Sequence, residues 1–293
     1  MICLTPLHTC FAAEVHGLDL CSPLADDVIA DILRAIDEYA VLVFRGQVLS
    51  DEQQVRFSRC LGELERSGQL SNITRDEDRR LSREIGDLSN LDRHASLLGR
   101  HDRQRMFNLG NRLWHSDSSY KVIPAKFSLL SARRLPNTGG DTQFADMRAA
   151  YESLDSGTRE RIGDLICEHS LMFSRGVLGF DAELTEAERR NFRPVRQRLV
   201  RTLSSTGRRS LFLSAHAGDI IGWPTPEARA LLLELTEHAT RPERVYTHRW
   251  ALHDLVMWDN RQTMHRVRPF DDLAEVRDMH RTTVAGDEPT VAQ

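Results

Sequence analysis

The sequence predicts a mainly β domain with covering α-helices, a double-sheet jelly roll or barrel. Two patterns predict it. Short β-like runs recur after residue 113, and a few amphipathic segments interrupt or precede them. No internal repeat or low-complexity linker divides the 293 residues, so a single domain spanning 1–293 is expected.

Taken in order, Ile29, Ile32, Leu33, Ile36 and Ala40 repeat at helical spacing, which predicts an amphipathic helix over Asp26–Tyr39. The run Val41–Phe44 (VLVF) is apolar and β-branched and ends at Arg45-Gly46, as a buried strand would. Ser50-Asp51-Glu52-Gln53 has the capping-box pattern, and the helix it opens should stop near Gly62. Residues 66–110 are crowded with Arg, Asp, Glu and Ser. They read either as a solvated surface excursion or as a loop that covers a site. Strands are expected at 127–132, 198–202, 211–215, 244–249 and 254–258. Thr225-Pro226-Glu227 starts a further helix, with Pro in its first turn.

Bulk composition excludes several function classes. Formal net charge is -4, from 39 basic and 43 acidic residues, so neither a nucleic-acid partner nor a polybasic membrane surface is expected. Lys121 and Lys126 are the only lysines, so an anion pocket here should be built from Arg. The five cysteines are scattered, odd in number and without a CxxC, which argues against a disulfide framework or structural zinc and for a reducing compartment. The first residues have no basic start, and no run approaches the ~18 apolar residues of a membrane span. A soluble cytoplasmic protein is the expectation.

The chemistry concentrates in Leu113–Tyr120 (LWHSDSSY). In a strand, His115 and Asp117 would share one face, with Trp114 and Ser116 on the other. One imidazole and one carboxylate are two-thirds of the 2-His-1-carboxylate set that holds non-haem Fe(II). Alone the pair is weak, because His-x-Asp arises by chance. A second His, His265, follows the predicted strand at Val256–Trp258 and the polar turn Asp259-Asn260. Arg277 and Arg281 come 12 and 16 residues later and would share one face of a returning strand. Two guanidiniums near a metal could grip a dicarboxylate. Gly139-Gly140-Asp141-Thr142 supplies a tight turn and a hydroxyl. There is no HExxH, so a hydrolytic zinc site fits less well.

Trp114–Tyr120, then 135–154 (LPNTGGDTQFADMRAAYESL), then 258–266 (WDNRQTMHR), then Arg277 and Arg281, together resemble the TauD/TfdA family of Fe(II)- and 2-oxoglutarate-dependent dioxygenases. The stretches 12–20 and 41–65 also match the family's opening, so the likeness covers nearly the whole chain, least well at 66–110. WHSDSSY and DMRAAY are similar to the 2,4-dichlorophenoxyacetate branch rather than the taurine branch.

The resemblance implies a double-stranded β-helix, the cupin-like jelly roll. It implies His115, Asp117 and His265 as iron ligands, and Thr142 and Arg277 on the distal carboxylate of 2-oxoglutarate. Arg281 would lie beside them or on the substrate anion. Asn111, the backbone N–H of Ser118, Trp258 and His216 would line the substrate region. The interval from His265 to Arg277 is one residue longer than is common in the family. That implies an insertion around Pro269–Leu273, or a contribution from Arg266 or Arg268 instead.

The implied reaction uses Fe(II), O2 and 2-oxoglutarate, with ascorbate as activator in vitro, on a small anionic organic substrate. An aryloxyacetate would be hydroxylated next to its ether oxygen, giving a phenol and glyoxylate with succinate and CO2. The same chemistry on a sulfonate, sulfate ester or 2-aryloxypropionate stays open, as does a non-catalytic metal-binding jelly roll. A homo-oligomer is the family-based expectation.

Overall fold

Val41–Phe44 has no polar face because both of its faces are covered. Val41 and Val43 pack with Leu130, Val256, Trp258 and Met279. Leu42 and Phe44, one residue out of phase, pack with Ile32, Ile36 and Phe57 from two helices. This is an inner strand of the seven-stranded sheet, the largest in the computed structural model, which describes residues 2–66 and 73–293.

The larger sheet runs Cys3–Pro6, Ala13–His16, Val41–Phe44, Leu255–Asp259, Phe127–Arg134, Asp278–Val284, Gly86–Asp87. Its pairs are antiparallel except Ala13–His16 with Val41–Phe44. The helices Asp26–Tyr39 and Asp51–Arg59 cover its outer face. The first ends at Ala40, which is left-handed (φ 58°) and donates its N–H to Ile36 O at 2.8 Å. The second begins with the capping box: Ser50 Oγ accepts from Gln53 N at 3.2 Å, and Gln53 Oε1 accepts from Ser50 N at 2.7 Å.

The second layer holds Val245–His248, Thr142–Asp146 and Thr263–Val267. Alternation again sorts the side chains. Phe144 and Tyr246 face the space between the layers. Ala145 and Met264 face outward, under the helices Met147–Glu152 and Thr225–Ala239. Past Thr263–Val267 the backbone ladder continues through single contacts. His115 and His265 exchange both backbone bonds, Ala215 N donates to Trp114 O at 2.8 Å, and Ser170 N donates to His216 O at 2.8 Å. The strands Ala217–Ile220, Ile166–His169 and Val195–Arg198 complete this side. Two facing sheets with covering helices are the jelly roll that the sequence predicts.

Three expected elements differ. The strand expected at 198–202 is interrupted at Leu199, between Val195–Arg198 and Val200–Thr202. That expected at 211–215 keeps only Leu211, in Arg209–Leu211. Phe212 and Ala215 instead donate single bonds to Leu199 O and Trp114 O, joining separate neighbours rather than one ladder. His115–Asp117 is not a strand: one bridge at His115 is followed by a turn with Ser118 left-handed (φ 55°).

Residues 67–72 of the expected loop lie outside the described residues. The described remainder is no mere surface excursion, because it buries Ile73, Ile85, Leu91, Leu98 and Phe107. It adds Gly86–Asp87 to the sheet edge and contains the helix Arg103–Asn108. Among the described residues, no helix is long and apolar enough to cross a membrane.

Replacing Ser50 by Ala removes one half of the capping box and leaves the first-turn N–H of Gln53 unsatisfied. The expected loss is about 1 kcal/mol of unfolding free energy, read from urea denaturation of both proteins. An unchanged midpoint and slope would show that the box contributes nothing.

Candidate metal and 2-oxoglutarate site

The site starts from one backbone pair. His115 N donates to His265 O at 3.0 Å and His265 N donates to His115 O at 2.8 Å. Residues that exchange both bonds sit directly opposite, so their side chains leave on the same face. The two imidazole centroids are 4.2 Å apart. His265 points between the layers, against Trp258 (4.7 Å) and Phe144 (6.1 Å). Trp114 points the opposite way, under the Arg266 guanidinium at 4.4 Å.

The turn after His115 then brings in Asp117. His115 Nε2 lies 3.9 Å from Asp117 Oδ1, and His265 Nε2 lies 3.8 Å from Asp117 Oδ2. One ligand atom from each residue fits within 4.8 Å, the one such group of three among the described residues.

The protonation states suit a metal. Burial lowers His115, against the pull of Asp117, and burial and His115 hold His265 well below the ordinary value. Both rings are therefore neutral, with lone pairs available. Leu113 O at 2.8 Å takes the Nδ1 proton of His115, which leaves Nε2 free for a metal. Burial alone would raise Asp117. The Arg281 guanidinium, with the Ser128 hydroxyl, outweighs it and holds the carboxyl well below the carboxylate range. Two neutral imidazoles and one ionised carboxylate match the non-haem iron donor set.

Beside the triad is a cavity lined by Asn111, His115, Thr142, Trp258, His265 and Arg277. Arg277 is 5% exposed and forms no ion pair among the described residues. Burial pushes it down to about 10, against Asp141, so it stays cationic. Its Nε donates to Gly140 O at 3.1 Å. Thr142 Oγ1 accepts from Trp250 Nε1 at 3.0 Å, so its own proton is free to donate. Gly139 makes the close approach that the turn needs. It is left-handed (φ 76°), and a Cβ there would collide with Pro269 O.

Arg277 and Arg281 leave one face of the chain, yet they do not meet in one pocket. Arg281 Nη1 bonds Asp117 Oδ1 at 2.5 Å and lines a separate small cavity with Glu65 and Ser118. The expectation for Arg281 is a place beside Arg277 or on the substrate anion; its guanidinium pairs with the Asp117 carboxylate and lies outside the Arg277 cavity. Arg266 bonds Gln143 Oε1 at 2.9 Å on the outer face, and Arg268 does not line the cavity, so neither replaces Arg277. The turn around Pro269–Leu273 is held by Asn90. Its Nδ2 donates to Asp272 O and Glu275 O, and its Oδ1 accepts from Arg277 N at 2.9 Å.

The remaining expected residues spread over both sides of the triad. Asn111 and Trp258 line the Arg277 cavity. The Ser118 hydroxyl donates to Glu65 Oε2 at 2.8 Å, while its backbone N–H has no partner among the described residues. His216 does not line the cavity. It is buried with Nδ1 2.8 Å from Ser174 Oγ, and its ring lies 6.2 Å from that of His115. Sequence reasoning missed Ser128, Asn90 and Trp250, and took Asn260 only as a turn residue. Asn260 stands within the stretch WDNRQTMHR, but the other three lie in segments without a chemical signature.

A jelly roll carrying two neutral histidines and an ionised aspartate beside a buried arginine defines the non-haem iron oxygenase class. The chain belongs to the family described as Taurine catabolism dioxygenase TauD, TfdA family, which matches residues 4–283. It is 44% identical over 282 residues to the alpha-ketoglutarate-dependent 2,4-dichlorophenoxyacetate dioxygenase of Cupriavidus pinatubonensis, covering 96% of this chain and 97% of that one. It is 36% identical to the (S)-phenoxypropionate/alpha-ketoglutarate-dioxygenase of Sphingobium herbicidovorans, covering 97% of this chain and 95% of the relative. The crystal structure of AAD-2 in complex with Mn(II) and N-oxalylglycine superposes with a TM-score of 0.96, at 54% identity and 99% coverage of both chains. The protein is a 2-oxoglutarate-dependent non-haem iron dioxygenase that acts on a small molecule.

The strand that carries Arg281 is tied down by His280. Its Nδ1 lies 2.6 Å from Asp51 Oδ1, and Nε2 lies 3.4 Å from Asp278 Oδ1. Burial opposes the proton, but these two carboxylates raise His280 above its ordinary value of 6.5. A raised folded value gives stability that is complete below the unfolded value and disappears as pH climbs through the folded one. The stability advantage of the native protein over His280→Gln should therefore be larger at about pH 6 than at about pH 9. Urea titrations at both pH values check this, and a difference independent of pH would contradict it.

Proposed function

We propose that the enzyme hydroxylates an aryloxyalkanoate such as 2,4-dichlorophenoxyacetate next to its ether oxygen. The hydroxylated product collapses to a phenol and glyoxylate, while 2-oxoglutarate becomes succinate and CO2. The observation that carries this reading is the buried triad beside Arg277, a cation with no ion-pair partner among the described residues. A buried guanidinium without an anion is costly, and a carboxylate ligand resolves that cost. The aryloxyalkanoate assignment is supported by the 44% identity, over nearly both full chains, to a relative named for that substrate.

His115, Asp117 and His265 would hold the metal through Nε2, a carboxylate oxygen and Nε2. Fe(II) bound there supplies, with O2 and with ascorbate keeping it reduced in vitro, the oxidising chemistry. Arg277 and the free proton of Thr142 hold the distal carboxylate of 2-oxoglutarate. Asn111 and Trp258 wall the same cavity and keep the co-substrate from turning. On the other side of Asp117, the Ser118 N–H and Arg281 receive the substrate anion, and His216 bounds its pocket. Fixing both acids places the target C–H bond beside the metal, which converts a chance encounter into a positioned one.

The test is succinate formation from 2-oxoglutarate with Fe(II), ascorbate and O2. The substrate panel is 2,4-dichlorophenoxyacetate, both dichlorprop enantiomers, taurine and an alkyl sulfate. Strong stimulation by 2,4-dichlorophenoxyacetate, with 2,4-dichlorophenol released, is expected. Preference for one dichlorprop enantiomer would move the substrate to a 2-aryloxypropionate, the class named for the 36% identical relative. Preference for taurine or the sulfate would reject aryloxyalkanoates. Asp117→Ala and His115→Ala should abolish both succinate formation and Mn(II) binding, and full turnover in either would overturn the triad.

Arg277→Ala should raise the KM for 2-oxoglutarate by roughly 10- to 100-fold. That corresponds to losing a charge-assisted hydrogen bond of about 1.5–3 kcal/mol. An unchanged KM for 2-oxoglutarate would remove Arg277 from that role.

A further inference from the structure

Asn260 is 1% exposed, and every polar atom of its side chain is engaged. Its Oδ1 accepts from the backbone N–H of Asp117 at 3.1 Å and from Trp258 Nε1–H at 3.0 Å. Both partners can only donate, so the orientation of the amide is unambiguous. Its Nδ2 therefore donates to Ser128 Oγ, at 2.9 Å. Its backbone oxygen accepts from Ser116 Oγ at 2.7 Å.

Proton counting then decides what Ser128 does. A hydroxyl has one proton to give. Ser128 Oγ receives the Asn260 amide proton on one side and faces Asp117 Oδ2 at 2.7 Å on the other. An ionised carboxylate only accepts, so the Ser128 proton is committed to Oδ2. Asp117 is thus held at its backbone N–H by Asn260 and at Oδ2 by a hydroxyl whose polarity Asn260 sets. The hold has work to do. The carboxylate torsion is broad and two-fold, and the next residue, Ser118, sits in the left-handed region at φ 55°. Arg281 grips Oδ1, but its side chain is 22% exposed, whereas Ser128 is completely buried.

We propose that Asn260 is a positioning residue for the metal-binding carboxylate, acting through Ser128 and the Asp117 backbone. This rests on the reading that His115, Asp117 and His265 hold the metal. Through the indole of Trp258, the same amide ties that carboxylate to the wall of the Arg277 cavity. Asn260 is not one of the three candidate ligands and does not line the Arg277 cavity. It restricts where the Asp117 oxygens can point, which is how outer partners tune metal sites.

The test is Mn(II) affinity, followed by the electron paramagnetic resonance of free Mn(II). The proteins are wild type, Asp117→Ala, Ser128→Ala, Asn260→Ala and the Ser128→Ala/Asn260→Ala double variant. Thermal unfolding of each metal-free protein reports the fold separately. Ser128→Ala should unfold as cooperatively as wild type yet bind Mn(II) about tenfold more weakly. Asn260→Ala should also bind more weakly. The double variant should lose less than the product of the two single losses, because both act on one hydrogen-bond network.

Wild-type affinity in folded Ser128→Ala, or single losses that simply multiply, would overturn the proposal. If Asn260→Ala does not fold, Ser128→Ala decides alone. Wild type binding Mn(II) no better than Asp117→Ala would reject the triad itself, an outcome distinct from failure of the positioning role.

Discussion

A single buried carboxylate has to stay ionised for the rest of the site to work. Asp117 is 4% exposed, and taking a carboxylate out of water costs several kcal/mol unless its lone pairs are used. Here Arg281 takes one at Oδ1 and Ser128 takes one at Oδ2, which still leaves lone pairs directed elsewhere. The same negative charge opposes, without cancelling, the desolvation that keeps His115 and His265 neutral. Three groups that would titrate independently in water are thereby set to the forms that a metal requires.

The other end of the cavity has the opposite problem. Arg277 is buried with its charge and, among the described residues, without an ion pair, supported by Gly140 O and the Asp141 field. Its place is fixed by main-chain devices: Asn90 grips its N–H and the turn before it, and Gly139-Gly140 lets the chain pass close by. With that turn pinned, the guanidinium reaches the cavity. A fixed cation and electron-pair-rich imidazoles lining one cavity suit a ligand with two different anionic ends. Arg281 illustrates the converse. It leaves the same face of the chain, but a nearer carboxylate claims it.

Both ends are held by the two layers. Period-two alternation in Val41–Phe44, Thr142–Asp146 and Thr263–Val267 sends one set of side chains between the sheets and the other under helices. His265 takes an inward position that Met264 could not share, and His115 joins by a single bridge rather than a strand. A bridge followed by a turn lets Asp117 swing back beside the two rings. A regular strand would have carried it 6–7 Å further along.

By itself the sequence determined the covering helix Asp26–Tyr39, the doubly buried strand Val41–Phe44 and the capping box at Ser50. Through its resemblance to the family's ordered motifs, it also named His115, Asp117 and His265 as candidate ligands. These are legible because periodicity and motif spacing are local properties of a chain. Only the tertiary structure decided that His115 faces His265, that Arg277 lines the cavity from a buried position and that Arg281 is bound to Asp117. It also decided that Asn260, Ser128 and Asn90 support them. Each of these depends on residues more than 100 positions apart meeting across two sheets, or on which of several neighbours satisfies a buried proton. Neither question has an answer until the layers are packed.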